Sequence, residues 1–213
     1  DLYDFNCDVA QGYGIYKNDS ELEIAKYASS INIAAGFHAG DPLSIHGALK
    51  FASNNNIAPG AHIGYPDIQG FGKRNMDLSD EELSAVVIYQ LSALIVYAKT
   101  FDLEIEQVRF HGALKDKINT DEHAASVISE AVKKVSPWLN IIVQNNDMKN
   151  FIQSFGVKSA YEIEFNSQSS IKEIDESELK PDTIHFKTLE DIKRAYDELK
   201  PTPINYNRVQ KQI

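Results

Sequence analysis

The stretch "INIAAGFHAGDPLSIHGALK", Ile31–Lys50, holds a strand, a turn and the start of a helix. Ile31–Ala35 is an apolar, β-branched run. Pro42–Asn55 reads as a helix that opens on proline, where the missing N–H costs nothing. Between them Gly36 and Gly40 bracket His38, and Asp41 follows at the helix start. The glycines suit a tight turn, but a turn has no use for the histidine. A β-then-α unit with titratable residues at its junction is therefore the pattern to trace along the chain.

The pattern recurs. Leu2–Val9 reads as a strand, followed by a glycine-rich loop and a helix near Ser20–Ser29. Ile57–His62 is a third strand, and the long loop Ile63–Leu78 carries Gly64, Pro66, Gly70 and Gly72. Ser79 and Glu82 form a capping-box pattern, after which Leu83, Val86, Val87, Leu91, Leu94 and Ile95 keep a helical period to about Lys99. Val108–His111 is a short strand before a helix around Asp121–Val135. Leu139–Val143 is a strand, Met148–Phe155 a helix, and Val157–Ile163 and Thr183–Phe186 are weaker strands. Thr188 and Asp191 open a last helix through about Leu199, and Asn166–Lys180 reads as a solvated connection. Repeated β-then-α units imply parallel strands joined by right-handed crossovers. A closed α/β barrel of about seven strands fits best, with an open doubly wound sheet as the alternative. One domain is expected over residues 1–200, with 201–213 an irregular tail.

Composition narrows the function classes. The 213 residues are 43% hydrophobic and carry a formal net charge of −10, which argues against a nucleic-acid or anionic-membrane surface. Cys7 is the single cysteine, so neither an intrachain disulfide nor a cysteine metal cluster is expected. No apolar run approaches the roughly 20 residues of a membrane helix, and the N-terminus lacks a basic-then-apolar signal pattern. A cytoplasmic protein is expected, and the initial Asp suggests the loss of a few residues.

In parallel barrels the working site lies at the C-terminal ends of the strands. Four successive strands release polar residues at that end: Asn6 and Asp8, then His38 and Asp41, then His62 with Tyr65-Pro66-Asp67 behind it, then Arg109 and His111. Asn6 with Asp8, and Arg109 with His111, are two residues apart on a strand and share a face. Histidines and carboxylates so placed can relay protons or hold a hydrolytic metal. Asp8, His38, His62 and His111 form a zinc or manganese set by ligand type, although no HxxxH spacing is present. There is no G-x-S-x-G elbow and no G-x-x-x-x-G-K-[ST] phosphate loop; Gly70-Phe71-Gly72-Lys73-Arg74 reads as a substrate loop. His46 and His123 read as surface residues, and His185 is left open.

These strand ends resemble the LamB/YcsF family, whose characterised activity is that of the A component of the bacterial ATP-dependent 5-oxoprolinase. The similarity lies in Asn6-Cys7-Asp8-Val9-Ala10-Gln11-Gly12, in S-I-N-I-A-A-G-F-H-A-G-D (30–41), in G-A-H-I-G-Y-P-D (60–67), in Phe71-Gly72-Lys73 and in V-R-F-H-G-A-L-K-D (108–116). It runs from Leu2 to about Val143. The resemblance implies an irregular seven-stranded (β/α) barrel of the glycoside hydrolase/deacetylase type. It also implies cleavage of the lactam amide of 5-oxoproline to glutamate, with ATP handled through partner subunits B and C. Carried over, Asp8, His38, His62 and His111 are catalytic, with Asp8 or His62 as base and His38 and His111 as acid or oxyanion partners. Asn6, Asp41, Tyr65 and Arg109 are the substrate-binding set. Departures are Ala10 and Gln11 where the family has Gly and Glu, Arg109 for a lysine, and Lys115-Asp116 for Tyr-Asn. The arginine-bearing segment expected around Glu162–Ser167 is missing, as is about one β/α unit after Leu179-Lys180-Pro181. The strand His185-Phe186-Lys187 lacks the family's H-G-D. Two other readings stand beside it: a non-catalytic binding or partner protein that keeps the pocket, and a metal-dependent deacylase of the related barrel superfamily. His38→Ala and Asp41→Ala are expected to fold normally, as residues lining an open pocket.

Overall fold

A computed structural model describes residues 3–18, 20–177 and 179–199. The expected tail at 201–213 lies outside them, as does Leu2. The chain alternates strands and helices: β1 (Asp4–Val9), α1 (Glu21–Ala25), β2 (Ser30–Ala34), α2 (Pro42–Asn55), β3 (Ala58–Ile63), α3 (Asp80–Lys99), β4 (Gln107–Phe110), α4 (Gly112–Thr120), α5 (Glu122–Val135), β5 (Asn140–Val143), α6 (Asn146–Gln153), β6 (Lys158–Phe165), α7 (Ile171–Glu176), β7 (Thr183–Phe186) and α8 (Leu189–Glu198). The strands pair in sequence order, all parallel, and β7 pairs back onto β1 to close a seven-stranded barrel. Closure decides against the open sheet.

The two faces of the strands are chemically opposite. Phe5, Cys7 and Val9 on β1, Ile31 and Ile33 on β2, and Val108 and Phe110 on β4 are buried in the apolar layer between barrel and helices, with Leu49, Leu91, Leu114 and Ile128. The alternate residues fill the barrel with polar groups. At one level Asn6 exchanges amide hydrogen bonds with Asn32, while Gln107 donates to Ser30 and Asn32. Register explains the level: Asp8 lies opposite Asn32, Asn32 opposite Gly60, and Asn6 opposite His185. Gly60 leaves the space that Gln107 occupies, since a Cβ there would meet the Gln107 side chain. Asp4 lies below, taking hydrogen bonds from Ser29, Ser30 and Thr183.

Three sequence expectations need correction. The segment 166–180 is not wholly a solvated connection, because α7 buries Ile171 and Ile174, spaced i, i+3, against the core. Gly112–Thr120 forms a helix the apolar pattern did not reveal, since its first residue, Gly112, reads as a breaker and only Ala113, Leu114 and Ile118 are buried. Finally, α3 is long and apolar enough to cross a membrane by length and composition. Here it packs against β3 and α5 through a stripe that includes Leu83, Val87, Leu91 and Leu94.

Candidate functional site

At the C-terminal mouth, β1, β3, β4, β6 and β7 turn their last inward side chains toward one another. Asp8 is the hub. Its Oδ1 accepts from Asn32 Nδ2 at 2.9 Å, and its Oδ2 lies 3.1 Å from Arg109 Nη1, 3.3 Å from His62 Nε2 and 3.5 Å from His185 Nε2. Burial alone would raise this carboxyl. The Arg109 guanidinium instead holds it well below the usual carboxylate range. Its side chain keeps 12% exposure, so it reaches the mouth.

Arg109 is buried and held in a fork. Its Nε and Nη2 donate to Glu162 at 2.8–3.0 Å, Nη1 donates to Asp8, and Nη2 reaches Glu164 at 3.5 Å. Planar bidentate pairing of this kind is what guanidinium offers and ammonium does not. Glu164 in turn pairs with Lys187 at 2.5 Å and with Lys115 at 3.5 Å. Its carboxyl is pulled down to about 2, burial being outweighed by those lysines and by Gln144. Lys115, a departure from the family pattern, thus balances a carboxylate of β6.

Three histidines form the opposite wall. His62 Nε2 and His111 Nδ1 are 3.0 Å apart, His38 stacks on His111 with ring centroids at 4.1 Å, and His38 meets His62 edge to face at 5.1 Å. His111 donates through Nε2 to the Phe71 carbonyl at 2.7 Å. Burial, then the neighbouring His62, lowers His111 to about 4, and burial lowers His38 well below the ordinary imidazole value. Both are neutral at pH 7. The loop after β3 covers this wall: Gly72 has φ +65°, and a Cβ there would lie 2.7 Å from His38 Cβ. Gly112, at φ +54°, lets Ala113 N–H reach the Gly72 carbonyl at 2.9 Å. Asp67 and Arg74 form an ion pair within the same loop.

The structure thus gathers Asp8, His38, His62, His111 and Arg109 at one place. Asn6 is sealed one level beneath, its Oδ1 accepting from His185 Nδ1 at 2.9 Å. Asp41 caps α2, taking N–H bonds from Leu43, Ser44 and Gly14. Beyond the pocket role expected of it, Asp41 carries a capping box. His38, expected in an open pocket, is only 1% exposed. Tyr65 is buried on the far side of the loop, lining a cleft of about 490 Å³ with Asn75, Met76, Asp77 and Lys117, apart from the histidines. Ala10 adopts φ 60°, a left-handed conformation where the family has glycine. The next N–H, of Gln11, is taken by Glu21 at 3.2 Å, whose carboxyl burial raises to about 7.

The sequence reading assigned no role to Asn32 or Glu162 and left His185 open. Asn32 orients Asp8, Glu162 neutralises Arg109, and His185 bridges Asn6 toward Asp8. Each is the inward residue of its strand, so period-2 alternation was the available signal. His46 and His123 are exposed, the latter paired with Asp80.

Known proteins resemble this chain over most of its length. The 5-oxoprolinase A subunit of Campylobacter jejuni subsp. doylei is 40% identical over 163 residues, covering 75% of this chain and 63% of that protein. The 5-oxoprolinase A subunit of Alkaliphilus metalliredigens is 38% identical over 161 residues with the same coverage. The crystal structure of a lactam utilization protein from Thermus thermophilus superposes with a TM-score of 0.73 at 37% identity, covering 76% of this chain and 66% of that one. The match thus spans less than two thirds of the length of these curated relatives. The LamB/YcsF family model matches residues 3–173, which takes in β1 to β6 with Asp8, all three clustered histidines, Arg109 and Glu162. With that span, and with relatives at about 40% identity, the chain belongs to the LamB/YcsF family.

Proposed function

We propose that this chain is the A-type component of an ATP-dependent 5-oxoprolinase, acting in the cytoplasm with partner subunits B and C. The observation that carries the reading is a fixed carboxylate, Asp8, held anionic by Arg109 beside neutral histidines at the barrel mouth. Its relatives named as 5-oxoprolinase components support the substrate class.

In the hydrolysis, water oxygen bonds to the lactam carbonyl carbon and the ring C–N bond breaks. The nitrogen gains a proton and the chain opens to glutamate. Asp8 or His62 takes one proton of the attacking water, and that proton ends on the leaving nitrogen. Arg109 and Asn32 fix the direction of the Asp8 carboxylate. His38, whose ring nitrogens have no other partner among the described residues, serves the developing oxyanion. The sequence has no phosphate loop, which agrees with ATP being handled by subunits B and C.

A coupled assay of 5-oxoproline and ATP with subunits B and C tests this. Glutamate should form only when the chain is present, and His38→Ala should lower the rate by at least about 100-fold. No glutamate above the control lacking this chain sinks the reading. One observation favours a second reading, a non-catalytic partner that keeps the pocket: the loop at Gly72 covers His38 almost completely. That reading expects lactam binding by calorimetry without turnover.

A further inference from the structure

Hydrogen bonding fixes where the lone pairs lie in the histidine cluster. A backbone carbonyl can only accept, so His111 donates its Nε2–H to Phe71 and presents a bare Nδ1 when neutral. By the same reasoning His62 donates Nδ1–H to the Arg109 carbonyl at 3.3 Å and presents a bare Nε2. These two bare nitrogens face each other at 3.0 Å, and Asp8 Oδ2 lies 3.3 Å from the second. Acceptors this close with nothing between them repel. His38 adds to the deficit: among the described residues neither of its buried ring nitrogens has a partner, although orphaned buried polar atoms are costly. One nitrogen from each of His38, His62 and His111 lies within 4.8 Å of the others.

We propose that His38, His62 and His111 bind one divalent cation of the zinc class, with Asp8 as the carboxylate beside it. Three imidazoles select Zn²⁺, Co²⁺ or Ni²⁺ over Mg²⁺ and Ca²⁺, which prefer oxygen. Three protein ligands leave a fourth position open for water or substrate, as hydrolytic sites require. The outer contacts fit as well. Metal-binding histidines give their second N–H to a carbonyl or carboxylate, and His111 and His62 do so to Phe71 and Arg109. A bound cation would polarise the carbonyl of an amide substrate. The inference concerns the same pocket as the lactam reading but does not depend on that substrate. The competing arrangement is a proton on His62 Nε2 bridging the three acceptors.

The test uses the full 213-residue chain. Protein purified without chelator is analysed for metals, then stripped and titrated with Co²⁺ by visible absorption and calorimetry. About one equivalent should bind, with the ligand-field bands of a nitrogen-rich four-coordinate ion and a raised melting temperature. His38→Ala and His111→Gln should each weaken binding at least about tenfold. The exposed His46→Ala and His123→Ala should bind as wild type does. Absence of saturable binding in wild type, or unchanged binding in both cluster variants, overturns the proposal in favour of the bridging proton. If a cluster variant no longer melts cooperatively, competition in wild type decides, and displacement of Co²⁺ by modest Mg²⁺ overturns it. Metal bound without glutamate formed sinks the lactam reading alone; glutamate formed by a chain that shows no saturable metal binding sinks the metal alone.

Discussion

Strands β1, β3 and β4 and the loop after β2 bring Asp8, His62, Arg109, His111 and His38 to the barrel mouth, whereas β6 and β7 bring Glu162, Glu164 and His185. The first side offers bare lone pairs and one fixed anion. The second offers carboxylates occupied in neutralising Arg109, Lys115 and Lys187. The first side thus depends electrically on the second. The family match ends at residue 173, yet β7, beyond it, closes the barrel and delivers His185 to Asp8. A site of this kind belongs to the closed ring rather than to the strands that carry recognisable motifs.

The largest effect should come from cutting the link between the sides. Arg109→Met leaves Asp8 and Glu162 buried without a counter-charge, and breaking a buried pair in this way costs about 3–5 kcal/mol. Urea denaturation should show it, with Arg109→Lys losing less because it keeps the charge but not the fork. A loss under about 1 kcal/mol for Arg109→Met would show that the two sides are independent.

The second effect reads the β7 contribution through pH. Burial, then Arg109, lowers His185 to about 4 from an ordinary 6.5. Between those values the unfolded chain takes up a proton that the folded chain refuses. The stability associated with a neutral His185 is therefore complete above pH 6.5 and is lost as pH falls toward 4, by up to about 3 kcal/mol. Urea titrations across this range should show a shallower decline in His185→Asn than in wild type. Equal slopes would mean that β7 does not sense the site.

The smallest effect concerns Asp41, at the start of α2. Asp41→Ala removes a capping box and should cost about 1 kcal/mol while leaving the chain folded. An unchanged melting temperature would mean that the cap contributes nothing measurable to stability.

The barrel was legible because β-branched runs and capped amphipathic helices alternate, and Ser79 with Glu82 forms the capping box the spacing predicted. The pairs Asn6–Asp8 and Arg109–His111 were legible because residues two apart on a strand share a face. What pairs with them was not. Glu162 and His185 meet Arg109 and Asp8 across the barrel, from strands 53 and more residues away, and no local spacing encodes such a meeting. The cap at Asp41 was legible as well: an acid before Pro42 is an N-cap signal, although its nearness in sequence to His38 drew the reading to the pocket alone.

Arg109 also has a mechanical consequence. From β4 it grips β1 and β6, neither of which is adjacent to β4 in the sheet, so it spans the barrel like a spoke. Most small barrels hold their cross-section by filling it with branched apolar side chains. Here one guanidinium between two carboxylates ties the cross-section at the mouth, in a ring whose width follows from its seven strands. A change that widens or narrows the ring would stretch or crowd those contacts, so the setting of Asp8 is tied to strands on the far side of the barrel.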